Sequence, residues 1–358
     1  MSRRVVVAMS GGVDSSVAAV LLHEQGYELI GVGLRFPEAA KAKGQVTCCG
    51  MAGIEDARQV SAQLGIPFYV LDYREVFERE VIEPFCQAYV RGETPNPCIL
   101  CNVRLKFGRL LDLALAMGAG YVATGHYARL ATNPKEGPPW LLKGLDREHD
   151  QSYFLYALTP RQLAHSLFPV GELTKAQVRR IAARLGLSIA NKPSSQDLCF
   201  VGADGYREFL ACRQPEALRS GPIMDKAGRI LGKHQGIAGF TLGQRRGLGI
   251  PAKERLYVTA LDPARNAVVV GTKEETYTQT LFLDQVNWLM DKPPKGPFWT
   301  MAKTRYRAPE IVAEVWVQGT QAVVCFAEPQ PRVAPGQAVV FYNNDRVVGG
   351  GTVRATFT

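Results

Sequence analysis

A glycine pair between a β-branched run and an apolar-periodic stretch constrains this chain most. Val5–Ala8 reads as a short strand. Ser10-Gly-Gly-Val-Asp-Ser-Ser16 follows it, and Val13–Gln25 has helical spacing at Val17, Val20 and Leu21 before stopping at Gly26. A strand that passes straight into a helix returns to its sheet by a crossover, so the next strand lies parallel. Glycine lets the loop backbone approach a ligand closely. The helix start also turns unpaired N–H groups and a positive dipole end toward that ligand. Ser10, Ser15 and Ser16 add hydroxyls, and the loop reads as an anion cradle. No Gly-Lys-Ser/Thr follows, which excludes the Walker A loop, and the Gly-x-Gly-x-x-Gly dinucleotide spacing is missing.

The alternation continues. Glu28–Leu34 and Pro67–Leu71 read as strands around a helix at Ile54–Leu64. Helices are expected over Glu75–Arg91 and Arg104–Met117, flanking a loop at Gly92–Cys101, with a strand at Tyr121–Thr124. Thr159-Pro160 and Thr174 begin two further helices. This pattern predicts an α/β fold with a doubly wound parallel sheet over residues 1–202. Beyond Cys199 the texture changes. Ile223–Ile230 and Leu256–Val270 read as hairpins, giving a small, mainly β, mixed α+β unit over 203–277. From about Thr280 the helical period vanishes. Short alternating runs at Ile311–Val317, Ala322–Phe326 and Ala338–Phe341 predict a β-barrel over 278–358.

With 46% hydrophobic and 21% charged residues, the chain is neither disordered nor fibrous. Its net charge of +9 favours a polyanionic partner. No apolar run approaches the ~18 residues of a membrane helix, and the basic-then-apolar start is too short for a signal peptide. A soluble, cytoplasmic protein with no membrane partner is expected.

The eight cysteines are too sparse for a disulfide scaffold. Thr94-Pro-Asn-Pro-Cys-Ile-Leu-Cys-Asn102 sets Cys98 and Cys101 on a proline-stiffened loop before a helix, where a helix start lowers thiol pKa. Structural zinc needs four ligands, and one Cys-x-x-Cys pair supplies two. Cys86, Cys212 and Cys325 read as inert buried thiols, while Cys48 and Cys49 read as exposed and receive no role. A third reading is sulfur chemistry, with Cys199 carrying a persulfide that Cys101 attacks, leaving a disulfide.

The glycine loop resembles the PP-loop of ATP pyrophosphatases, which holds the pyrophosphate leaving group. The wider set resembles the bacterial tRNA-specific 2-thiouridylase family nearly end to end. That set comprises the loop; Thr94-Pro-Asn-Pro…Cys101-Asn; Ala123-Thr-Gly-His-Tyr127; Asp150-Gln-Ser-Tyr-Phe-Leu155; Phe168-Pro-Val-Gly171; Cys199-Phe; His234-Gln-Gly236; Thr241-Leu-Gly-Gln-Arg-Arg-Gly-Leu-Gly249; Lys303-Thr-Arg-Tyr-Arg307; and Pro335-Gly-Gln337.

The resemblance implies that ATP, with Mg2+, adenylates O2 of the wobble uridine and that sulfur then displaces AMP at C2. Ala8, Met9, Ser10, Gly11, Gly12, Val13, Asp14 and Ser15 would bind ATP, with Leu34 and Gly125 lining the adenosine pocket. Cys199 would carry the persulfide and Cys101 act as nucleophile, the two closing a disulfide. Asn96, Pro97 and Cys98 match positions that meet the target base. His126, His149, Asp150, Gln151, Arg305, Tyr306 and Gln337 match positions that touch tRNA. A sulfur-donor protein, such as a cysteine desulfurase or a sulfur relay, is implied as partner. Some members carry aspartate where this chain has Cys98. Cys98, Cys101 and Cys199 would instead suit three corners of an iron–sulfur cluster, which leaves the sulfur route forked. Arg305 and its neighbours would hold phosphates while Tyr306 stacks on a base flipped from the anticodon. Another PP-loop adenylating synthetase and a non-catalytic RNA-binding protein are the readings from other classes.

Overall fold

The computed structural model describes residues 3–37, 51–133, 137–192, 198–202, 205–251, 254–290 and 292–357. Cys48 and Cys49 and the segment 193–197 before Cys199 lie outside them.

Val5, Val6 and Val7 are buried on both faces, the pattern of a strand deep inside a parallel sheet. They belong to β1 (Arg4–Ala8), which pairs in parallel with β2 (Glu28–Arg35) on one side and β4 (Tyr121–Ala123) on the other. β3 (Phe68–Asp72) forms one edge beyond β2. β5 (Ala128–Ala131) and β6 (Trp140–Lys143) form a hairpin, and β7 (Ser166–Leu167) completes the order β3-β2-β1-β4-β7. The doubly wound sheet is therefore present, while β5, β6 and β7 were not legible in the sequence.

The helices are α1 (Val13–Glu24), α2 (Met51–Gln63), α3 (Arg74–Phe77), α4 (Glu83–Val90), α5 (Pro97–Leu100), α6 (Leu110–Ala116), α7 (Pro160–Ala164), α8 (Lys175–Arg184) and α9 (Tyr206–Arg213). α7 and α8 start with complete capping boxes, Thr159 with Gln162 and Thr174 with Gln177. A π-helical turn at Glu78–Ile82 joins α3 to α4, and a π-helical stretch at Cys101–Arg109 joins α5 to α6. Arg109 bridges the two through Glu80 at 2.6 Å. The expected loop at Gly92–Cys101 is thus too long. Pro97 occupies the first helical position, where its missing N–H costs nothing, so Cys98 and Cys101 sit inside the helix.

The middle of the chain forms a sheet of order β10-β11-β8-β9 from β8 (Gly221–Met224), β9 (Ile230–His234), β10 (Tyr257–Asp262) and β11 (Ala267–Gly271). Ile223, Val258, Val268 and Val270 form its core. β12 (Tyr277–Trp288), β13 (Phe298–Lys303), β14 (Ile311–Gln318), β15 (Gln321–Pro331), β16 (Ala338–Asn343) and β17 (Arg346–Phe357) close a six-stranded antiparallel barrel through the β12–β17 pairing. Leu281, Val315, Val324 and Phe341 fill it.

The β5–β6 hairpin of the first unit extends the barrel sheet, with Leu142 opposite Arg346. Asp345 ties the same junction to Arg129 at 2.7 Å and Arg147 at 2.6 Å. One core also runs through the molecule, joining Leu105 and Phe107 to Phe200, Leu210, Ala338 and Tyr342. No helix among the described residues is long and apolar enough to cross a membrane.

Two thiols depart from expectation. Cys86 is buried, but Cys212 is exposed because α9 turns Tyr206, Phe209 and Leu210 toward the core instead. Cys325 is half-buried, since strand alternation sends Val324 and Phe326 inward instead.

Candidate active site

The Ser10–Ser16 loop leaves β1 and opens α1 at Gly12, which has extended dihedrals and no side-chain cap. The first N–H groups of α1 therefore point out of the helix unpaired by it. Gly11 adopts φ +72°, and a Cβ there would lie 1.9 Å from the carbonyl oxygen of Gly53. Only glycine fits so close an approach at that dihedral. Ser15 Oγ donates to the Gly12 carbonyl at 3.1 Å and accepts from the Ser10 N–H at 3.2 Å, which sets the loop shape. Ser16 is fully buried, and its hydroxyl has no hydrogen-bond partner among the described residues.

Two lysines with no motif in the sequence converge on this loop. Lys175 Nζ, at the first position of α8, reaches both Asp14 oxygens at 2.6 and 2.7 Å. The Tyr127 hydroxyl donates to Asp14 Oδ1 at 2.7 Å. Burial and the adjacent Asp14 carboxylate push the Tyr127 phenol far above its ordinary value, so it remains a donor. Lys192 Nζ donates to the Gly11 carbonyl at 3.1 Å and to Asp56 at 2.5 Å, tying the loop to α2. Leu34 is buried at the end of β2. Gly125 presses on the loop: a Cβ there would lie 2.5 Å from the Ser15 nitrogen.

The thiol helix begins at Asn96, which lacks a side-chain cap, and Pro97. Cys98 is exposed and Cys101 is buried. The sequence reading of lowered thiol pKa values does not hold. Burial pushes the Cys101 thiol up to about 11; the core around the helix also desolvates the Cys98 thiol and raises it, although that residue keeps surface open to solvent, and in both cases the Lys106 ammonium pulls the other way. Desolvation outweighs that charge. Lys106 Nζ donates to Asn102 Oδ1 at 3.1 Å, and Asn102 Nδ2 donates to the Phe154 carbonyl at 3.1 Å. Burial and the same Lys106 charge hold the His126 imidazole well below its ordinary value, hence neutral. His126 Nδ1 pairs with Thr124 Oγ1 at 2.7 Å, and the rings of Phe107 and Phe168 lie 6.1 Å away.

Cys98 and Cys101 thus share one electrostatic environment with Lys106 and His126. Cys199 is a separate, half-buried thiol packed against the core that contains Cys101, and both are free. Among the described residues no three His, Cys, Asp or Glu side chains are placed to hold a metal ion. The described residues thus offer no ready-made cluster site at Cys98, Cys101 and Cys199, and the iron–sulfur arm of the fork is not favoured.

The residues matched to tRNA contact divide. His149 is half-buried, with Nδ1 on Asp146 at 3.0 Å. Arg305 is exposed and donates to the Arg332 carbonyl at 3.1 Å. The Asp150 carboxylate is buried and accepts from the Gly144 and Ser152 N–H groups. Gln151 Oε1 accepts from the Tyr127 N–H at 3.0 Å. Tyr306 packs on Phe154, ring centroids 4.6 Å apart, and Gln337 donates to the Thr94 carbonyl at 2.7 Å.

Family models match along most of the chain. A tRNA methyl transferase HUP domain covers residues 3–203, a tRNA methyl transferase PRC-barrel domain 207–272, and an aminomethyltransferase beta-barrel domain 278–353. The tRNA-specific 2-thiouridylase MnmA of Moorella thermoacetica is 49% identical over 354 residues, covering 98% of this chain and 99% of that protein. Its counterpart in Magnetococcus marinus is 48% identical with the same coverage. Among solved structures, a 4-thiouridine synthetase–RNA complex with bound ATP overlaps with TM-score 0.36 at 16% identity, covering 60% of this chain and 50% of that one. That overlap is too partial to add to the reading. Identity near one half, sustained across all three units, settles the grouping: the chain belongs to the tRNA-specific 2-thiouridylase family.

Proposed function

We propose that this enzyme converts the wobble uridine of tRNA to 2-thiouridine in the cytoplasm, consuming ATP. Uracil O2 attacks the α-phosphorus of ATP and pyrophosphate leaves. The unpaired N–H groups of α1 and the nearby lysine charges favour that anion as negative charge builds on it. Adenylation matters because a carbonyl oxygen leaves poorly and AMP leaves well. Mg2+ would enter with the nucleotide as the counter-ion of its phosphates.

The terminal sulfur of a Cys199 persulfide then attacks C2 and displaces AMP. The Cys101 thiolate attacks Cys199 Sγ, and the S–S bond breaks with its electron pair going to the sulfur on C2. The products are 2-thiouridine and a Cys101–Cys199 disulfide, which an external thiol reduces. A sulfur-donor protein reloads Cys199. Asn96, Pro97 and Cys98 face the incoming base.

One observation carries this reading. The segment leaving β4 joins the two half-sites: Gly125 abuts Asp14 and Ser15, His126 lies within electrostatic reach of Lys106 beside the thiols, and Tyr127 holds Asp14. Nucleotide and sulfur chemistry thus share one three-residue strut. Incubating the protein with ATP, a persulfide-bearing sulfur donor and unmodified tRNA, then analysing nucleosides by mass spectrometry, tests it. The wobble uridine is expected to exchange oxygen for sulfur only when ATP is present.

A further inference from the structure

The barrel turn Pro335-Gly336-Gln337 lies against the segment that leads into the thiol helix, more than two hundred residues away in sequence. Both backbone polar groups of Thr94 are held there. Its carbonyl accepts from Gln337 Nε2 at 2.7 Å, and its N–H donates to the Pro335 carbonyl at 2.7 Å. Gly336 sits at φ +87°, and a Cβ there would come within 3.2 Å of Glu93 Cβ and of the Thr94 backbone. The turn is itself fixed to β17, since Gly336 N–H donates to the Val353 carbonyl at 2.8 Å and Val353 N–H donates back to Gln337 at 2.8 Å. Three residues beyond Thr94 the α5 helix begins, bringing Cys98 and then Cys101. A second barrel contact grips the same helix further on. Tyr306 packs on Phe154, whose carbonyl takes the Asn102 amide next to Cys101.

We propose that Gln337 is a positioning residue that hangs the Cys98–Cys101 helix from the barrel, so that the barrel sets how accessible Cys101 is. The clip holds both hydrogen-bonding groups of one residue, which fixes the direction in which the chain enters α5. Losing the Gln337 arm frees the Thr94 carbonyl and lets the start of the helix open locally. The meaning of this for sulfur transfer rests on the proposed function, but the contact and its test do not.

The test uses the full-length protein without tRNA or ATP, so failure of the thiolation reading leaves it intact. Gln337→Glu keeps the shape and removes the donor. Gly336→Ala keeps the Gln337 side chain but sets a Cβ 3.2 Å from the Thr94 backbone at a strained φ of +87°, forcing the turn and Thr94 apart. Alkylation of each cysteine by iodoacetamide is followed by peptide mass spectrometry, with folding checked by circular dichroism. Cys101 is expected to react roughly fivefold faster in both variants, the factor one lost hydrogen bond lends a local opening equilibrium, while Cys86 keeps its rate. Equal Cys101 rates in folded wild type and Q337E would overturn the proposal. In tRNA turnover a positioning role lowers kcat. A rise in KM alone, with Cys101 reactivity unchanged in the free protein, makes Gln337 an RNA contact only and also overturns it.

Discussion

Lys175 Nζ stands 2.6 and 2.7 Å from the two carboxylate oxygens of Asp14, across 161 residues of sequence. The pair is largely removed from water, with side-chain exposures of 10% and 28%. It supplies to this loop a cation that Walker A loops carry within their own motif. Lys175→Met strands the Asp14 carboxylate against the nucleotide cradle. About 2 kcal/mol of stability is expected to go, less than for a fully buried pair because Asp14 keeps some water. Urea unfolding measures that loss. Pyrophosphate release in the presence of tRNA is expected to fall by about a hundredfold, as for the removal of one strong electrostatic partner from a reacting site.

Cys199→Ser separates the two half-reactions. Pyrophosphate release persists, because the cradle and its lysines are untouched, while nucleoside analysis finds no 2-thiouridine. Thiolated product from this variant would remove Cys199 from the mechanism.

Burial holds the Cys101 thiol up to about 11, so about one molecule in ten thousand carries the thiolate at neutral pH. Below that value each pH unit raises the thiolate population about tenfold. Cys101 alkylation in the free enzyme is therefore expected to keep climbing from pH 7 past pH 9, without the plateau an ordinary thiol shows near its value of 9.0. The sign for stability follows. A thiol whose folded value is raised favours folding fully below 9.0, and that contribution drains away as pH rises through 9.0 toward about 11. A plateau at or below the ordinary value of 9.0 would contradict the burial argument.

The net charge of +9 and the exposed Arg305 point to phosphate contacts. Binding of unmodified tRNA is expected to weaken at least about tenfold between roughly 50 and 200 mM salt, as counterions released on binding become harder to release. A filter-binding series that stays flat would exclude an extended backbone footprint.

The glycine loop, the alternating first half and the barrel were legible because each follows a local rule: a strand–glycine–helix junction, a period of two or of 3.6, and a cap. The helix starts at Thr159 and Thr174 were read from their capping threonines, the first with a following proline. Long-range pairings were not legible. Lys175 appears in sequence only as the residue after a cap, and Lys192 as one cation near Cys199. Their approach to Asp14 and Gly11 depends on how α8 and the chain after it pack on α1 and α2. The short strands β5 and β6 carry no clear alternation and exist because β17 offers them an edge. The thiol pKa values went the other way for the same reason. Helix position can be read locally, whereas the desolvation that overrides it is set by the whole core around Cys101.

The most direct test supplies the enzyme with ATP labelled on the α-phosphate, unmodified tRNA transcript and a persulfide-bearing sulfur donor, and follows the label. Adenylate is expected on the RNA when the donor is withheld. Labelled AMP should then appear in step with 2-thiouridine once the donor is added. Thiolation without any passage of label through RNA, or pyrophosphate release equally fast without tRNA, would contradict the account.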